Sequence, residues 1–87
     1  MALECTLTRQ RGNPVRGRTQ DVGTSGIRVV TDRPLRIDEE VAFDLSTPGD
    51  EHRYGRARVL REQGNNCYAL GFAAPVEDIL DWVSQTT

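Results

Sequence analysis

Apolar and polar residues alternate with a period of two in several short stretches of this chain. Leu3, Cys5 and Leu7 are interleaved with Glu4, Thr6 and Thr8, the spacing of a strand with one face on a core. Arg11-Gly12-Asn13-Pro14 follows, and Gly, Asn and Pro each suit a turn, so a hairpin is predicted into a second strand over Val15–Asp21. Ile27–Thr31 is apolar and β-branched, Val41, Phe43 and Leu45 alternate with Ala42 and Asp44, Arg53–Glu62 is a long segment carrying Ala57 and Val59, and Tyr68, Leu70 and Phe72 alternate again. These read as four further strands. Turn-rich pieces separate them: Gly23-Thr24-Ser25-Gly26, the Arg33-Pro34 corner, Thr47-Pro48-Gly49-Asp50 and Gln63-Gly64-Asn65-Asn66.

Only the tail has helical spacing. Val76, Ile79, Leu80 and Val83 repeat at i, i+3, i+4 and i+7 after Pro75, and Glu77 and Asp78 stand in the first turn, where the helix dipole favours anions. A helix over about 76–84 is expected to cap an antiparallel barrel or sandwich spanning about 3–73. The fold class is mostly β, six strands with a C-terminal α-helix, in one domain over 1–87.

Length and composition narrow this picture. Eighty-seven residues make one core, since a chain of this size buries only about 60 to 65% of its unfolded surface. No apolar run approaches the roughly 20 residues that span a bilayer, and Met1–Leu7 has no basic region followed by an apolar stretch. The cytoplasm, without membrane insertion, is the expected location. Cys5 and Cys67 form no Cys-x-x-Cys pair, and one histidine, His52, completes no metal-ligand spacing. Both thiols are read as buried fillers, and no disulfide is expected in a reducing compartment.

The net charge of −2 conceals an uneven layout. Residues 9–36 carry seven arginines against Asp21 and Asp32, whereas 37–52 hold six acids and no arginine. The first third is therefore a candidate anion-facing surface. All eleven basic residues are arginine, whose planar fork suits phosphate and guanine, although biased codon usage gives the same composition. An acidic pI of 5.3 and five aromatic residues in all argue against a DNA- or RNA-stacking barrel.

Catalysis has little support. His52 follows the acidic stretch Pro48–Glu51 with no nucleophile beside it, and reads as a solvated loop histidine. Asp38, Glu39 and Glu40 precede a strand, where a run of acids serves as a charged edge against aggregation.

The most informative stretch is Arg18-Thr19-Gln20-Asp21-Val22-Gly23-Thr24-Ser25-Gly26-Ile27-Arg28-Val29: a strand ending in Asp, a glycine-containing turn and another apolar strand. Asp21-Val22-Gly23-Thr24-Ser25-Gly26 resembles the D/N-x-S/A-x-x-G motif of PilZ domains. Val41–Leu45, Arg58-Val59-Leu60-Arg61, Tyr68-Ala69-Leu70-Gly71-Phe72 and the closing helix resemble the rest of that family's barrel, so the likeness covers nearly the whole chain. The resemblance implies a non-enzymatic module that binds cyclic di-GMP and transmits the signal to a partner or an attached domain.

The chain departs from the family at two places. Gly23 stands where the motif has Ser or Ala, which removes a hydroxyl or methyl and adds backbone freedom. The family's Arg-x-x-x-Arg pair, which precedes the first strand, has no counterpart, because no two arginines here stand four apart. Either the pair lay in a longer parent chain or this is a divergent member. The implied ligand residues are Asp21, whose carboxylate accepts the N–H donors of a guanine edge, Gly26, which permits close approach, and Gly23 and Ser25 around them. Arg9 and Arg11 at the first hairpin, or Arg58 and Arg61 on the fifth strand, are candidate substitutes for the pair. Each bidentate contact to guanine contributes about 1 to 3 kcal/mol. The alternative is a degenerate member that binds no nucleotide and works through protein contacts, with Trp82 on the C-terminal helix either as its anchor or packed against the barrel.

Overall fold

The computed structural model describes residues 3–84, so the two ends of the predicted 1–87 domain lie outside the described residues. Six strands form in the predicted order: β1 (Glu4–Arg9), β2 (Val15–Val22), β3 (Gly26–Thr31), β4 (Glu40–Ser46), β5 (His52–Glu62) and β6 (Cys67–Phe72). They close into a barrel in the order β1-β2-β3-β6-β5-β4, every pairing antiparallel. Closure leaves no sheet edge. The acids at 38–40 therefore guard no edge, which corrects their sequence reading. Asp38 instead takes a left-handed turn (φ 68°), and Glu39 accepts hydrogen bonds from the Arg36 backbone N–H (3.1 Å) and the Arg9 Nε (2.7 Å).

The alternating apolar positions fill the barrel. Leu3, Cys5, Leu7, Val15, Ile27, Val29, Val41, Phe43, Leu45, Ala57, Val59, Tyr68 and Leu70 are all buried. Phe72 is partly buried, its ring centroid 4.9 Å from that of Phe43. Leu35, in the connection from β3 to β4, covers one end of the barrel and donates its N–H to the buried Tyr68 hydroxyl at 3.0 Å. The β5–β6 turn uses three consecutive residues with positive φ, Gly64, Asn65 and Asn66, which explains why glycine and asparagine cluster there. Cys5 is buried and its thiol is pushed up to about 12 by desolvation, with Asp44 adding to the effect, so it fills space as an inert thiol. Cys67 is only partly buried, against expectation, and its Sγ lies 3.4 Å from Gln20 Oε1 on the outer face.

The C-terminal helix is shorter than its spacing predicts. α1 covers Ile79–Ser84, because the preceding residues are tied to the barrel: Val76 N–H donates to Thr24 O (2.9 Å) and Ala73 N–H to Arg56 O (2.8 Å). Its inward residues are Ile79 and Trp82, helped by Val76 and Val83, whereas Leu80 is about half exposed at 48%. Trp82 is 2% exposed, so the surface anchor considered from sequence is a plug for the barrel end. Its Nε1 donates to Glu51 (3.1 Å), and the Arg53 guanidinium lies over its ring at 4.9 Å while reaching Asp78 at 3.5 Å. The ring thus packs its apolar body inside and satisfies its polar tip at the rim. Among the described residues no helix is long and apolar enough to cross a membrane.

Candidate functional site

The motif resembling the PilZ signature forms the β2–β3 hairpin. Asp21 and Val22 end β2, residues 23–25 make the turn, and Gly26 opens β3, with Gly23 N–H donating to Gly26 O at 2.8 Å. A β-carbon on Gly26 would collide with the Leu70 carbonyl oxygen of β6, so glycine at 26 is required by strand packing, whatever a ligand adds. Gly23 is different. Its φ is not positive, and a β-carbon there would meet Gly26 O at an ordinary 3.6 Å, so the family's Ser or Ala fits this backbone and the extra freedom of glycine is not needed to make the turn. Ser25 contributes through its backbone, its carbonyl accepting Phe72 N–H at 2.8 Å.

Register decides which side chains share the face of Asp21. The pairs Asp21↔Arg28, Arg28↔Ala69 and Ala69↔Arg61 form one row across β2, β3, β6 and β5. A second row runs Gly26↔Gly71↔Arg58. Cross-strand partners project to the same side of a sheet, and Asp21, Arg28, Arg58 and Arg61 all point outward. With strands about 4.8 Å apart, Arg61 stands roughly 14 Å from Asp21 along the row, and Arg28 lies directly between. Arg28 Nη2 is 4.0 Å from Asp21 Oδ2 with both side chains well exposed, a loose pair worth well under about 1 kcal/mol. Arg58 Nη1 makes one long bond to Asp38 O (3.3 Å), and among the described residues the Arg61 guanidinium has no polar partner.

Both outer strands of this face carry a β-bulge at the same level. Register slips between Thr19 and Asp21 on β2 and between Val59 and Arg61 on β5. Each slip inserts one extra residue, Gln20 and Leu60, and re-aims the next side chain. The bulges flank a floor of small residues, Ala69 and Gly71.

The other two candidate arginines lie elsewhere. Arg9 ends β1 and Arg11 sits in the β1–β2 turn, beside the start of β2. Asp21 is six residues further along that strand, roughly 20 Å away. Arg9 is also engaged, its Nε bonded to Glu39 with both side chains largely buried. The structure therefore separates Arg9 and Arg11 from the motif and keeps Arg58 and Arg61 on its face. Arg28 was missed at the sequence level, although hairpin pairing around the 23–25 turn points to it as the cross-strand neighbour of Asp21. Leu3 is strapped to β2 by Thr19, its N–H donating to Thr19 Oγ1 (2.9 Å) and its carbonyl accepting Thr19 N–H (3.0 Å). The start of β1 thus passes two positions from Asp21.

His52 is not a loop residue but the first residue of β5. Its Nδ1 bonds Asp44 at 2.7 Å and its Nε2 bonds Asp50 at 3.1 Å, and Tyr54 stacks on it at 5.7 Å. These bonds, Asp44 first and Asp50 second, raise its pKa above the ordinary 6.5. Two carboxylates suit an imidazolium donating from both nitrogens, which leaves no free nitrogen to act as a base. Among the described residues no group of His, Cys, Asp or Glu is placed to hold a metal.

The fold and this face define a small closed barrel with an arginine-rimmed outer platform beside a D-x-G-x-x-G hairpin. The family model of the PilZ domain matches residues 1–83, and the chain belongs to the PilZ domain family, whose members are in general non-catalytic regulatory modules that bind cyclic di-GMP. No curated protein and no solved structure matches the chain.

Proposed function

We propose that this chain is a non-enzymatic cytoplasmic receptor module that binds cyclic di-GMP on the outer face of β2, β3, β6 and β5. Asp21 accepts from the N–H edge of a guanine, the Gly23–Gly26 turn lies against the ligand with the Ser25 hydroxyl beside it, and Arg28, Arg58 and Arg61 supply the positive charge that the Arg-x-x-x-Arg pair supplies in the family. The observation that carries this reading is the row Asp21↔Arg28↔Ala69↔Arg61. It gathers one acceptor and two guanidiniums around the short side chain of Ala69. An arginine fork matches guanine O6 and N7 as well as phosphate oxygens.

The output of binding is read from the hairpin's own hydrogen bonds. Thr24 O holds Val76 N–H and Ser25 O holds Phe72 N–H, so the motif turn is bonded to the segment that leads into α1. A ligand that shifts the turn shifts the entry to the helix, and with it any partner or attached domain that touches α1. The adaptor alternative loses its proposed anchor, because Trp82 is buried.

The test is a titration of cyclic di-GMP into the purified chain, followed by amide NMR, with Asp21→Ala as control. The expected result is binding at micromolar ligand or tighter, with shifts at Asp21–Gly26, Arg28, Arg58 and Arg61 and a large loss of affinity in the variant. No shift at millimolar ligand would sink the reading for this chain.

A further inference from the structure

Leu60 is the extra residue of the β5 bulge and is 54% exposed, flanked in sequence by Val59, which points into the core, and by Arg61. Its Cδ1 stands 3.1 Å from where a β-carbon on Gly71 would be. The isopropyl group therefore lies flat along the sheet, in space that exists because residue 71 has no side chain. Beside it Ala69 is the short side chain of the row, with Arg28 and Arg61 as its cross-strand neighbours, and Arg58 pairs with Gly71 itself. A low apolar shelf is thus framed by guanidiniums.

We propose that Leu60, laid flat by Gly71, is the seat on which one purine base of the bound cyclic dinucleotide stacks, with Arg58 and Arg61 at the edge of that base. This inference rests on the reading above and adds the residues that seat the base. A purine offers a broad apolar face and a polar rim. Covering a leucine with such a face removes apolar area from water, while the rim meets donors that fit O6 and N7. Gly71 is a positioning residue: a methyl group at 71 meets Leu60 Cδ1 at 3.1 Å and pushes it outward by a few tenths of an ångström. The two bulges set the width of the platform, because each re-aims its strand at the level of Ala69.

The experiment is a cyclic di-GMP titration of the methyl-labelled chain, recording methyl and amide spectra together, with Leu60→Ala, Leu60→Met and Gly71→Ala alongside. The expected outcome is an upfield ring-current shift of the Leu60 methyl signals, about tenfold weaker binding for Leu60→Ala, a smaller loss for Gly71→Ala and near-complete rescue by Leu60→Met. Leu60 is more than half exposed, so its truncation leaves the core untouched, and the amide spectrum of the free variant verifies the fold. Amide shifts at Asp21–Gly26 with unmoved Leu60 methyls, or Leu60→Ala binding like the parent chain, overturn the shelf and leave the binding reading standing. No amide shift at all removes both.

Discussion

The two halves of β5 use the same residue type for opposite ends. In its first half Arg53 lies over Trp82 and reaches Asp78, and His52 is held between Asp44 and Asp50, so the polar groups there fasten the helix and the β4–β5 turn to the barrel. In its second half Arg61 faces Ala69, and Arg58 stands between Gly71 and Glu40 with one long bond to Asp38 O (3.3 Å). Arg53 is structural because a ring and a carboxylate hold it, whereas Arg58 and Arg61 stay exposed on the outer face. The pair Arg9 and Glu39 repeats the first case at the opposite end of the barrel.

The largest effect that would break this contrast is on the fastening half. Trp82→Ala empties the barrel end and uncovers the Arg53 guanidinium, and is expected to cost about 3 kcal/mol. For a domain of this size that lowers the melting temperature by roughly 12 to 24 °C in a calorimetric scan. An unchanged melting temperature would mean that α1 does not close the barrel.

Next in size is a double dissociation between arginines. Arg58→Ala and Arg61→Ala are each expected to weaken cyclic di-GMP about tenfold, with stability changed by no more than about 0.5 kcal/mol. Arg9→Ala should do the reverse, lowering denaturant stability and leaving the dissociation constant alone. Binding loss in Arg9→Ala with none in the β5 variants would move the site to the other end of the barrel.

The smallest effect sharpens the comparison through pH. The bonds from Asp44 and Asp50 raise the His52 pKa above 6.5, so the folded state holds this proton more tightly than the unfolded chain does. That stabilisation is complete below about 6.5, where both states are protonated, and fades as pH climbs through the raised folded-state value. Chemical denaturation of the parent chain and His52→Gln from pH 5 to 9 should therefore show the widest gap at the acid end, closing toward the alkaline end. A gap that widens with pH would contradict the imidazolium assignment.

Much of the architecture was legible in the residues before any coordinates. Period-two alternation located β1, β4 and β6, and turn chemistry with apolar β-branched segments located the other three, all within about two residues, because a barrel strand has one wet and one dry face and turns punctuate it. The helix was legible only in kind. Leu80 fits the 3.6-residue spacing as well as Trp82 does, and which of them turns inward was decided by the straps from Val76 and Ala73 to the barrel. The Asp21–Gly26 hairpin was visible as a motif, since turn chemistry and a carboxylate are local properties.

Its companions were not local. Strand order places β6 between β3 and β5, a neighbour relation that no spacing along the chain encodes. That order brings Arg58 and Arg61 onto the motif's face and leaves Arg9 and Arg11 behind, although all four looked alike in sequence. The bulges that lift Leu60 and Gln20 out of register, and the empty space over Gly71 in which Leu60 lies, exist only once strands pair. The sequence by itself determined the elements and the turn that carries the family motif, because those depend on residues a few positions apart. Tertiary structure decided which charges stand around that turn and which are consumed by packing, because charge–charge distance is set by barrel closure and register.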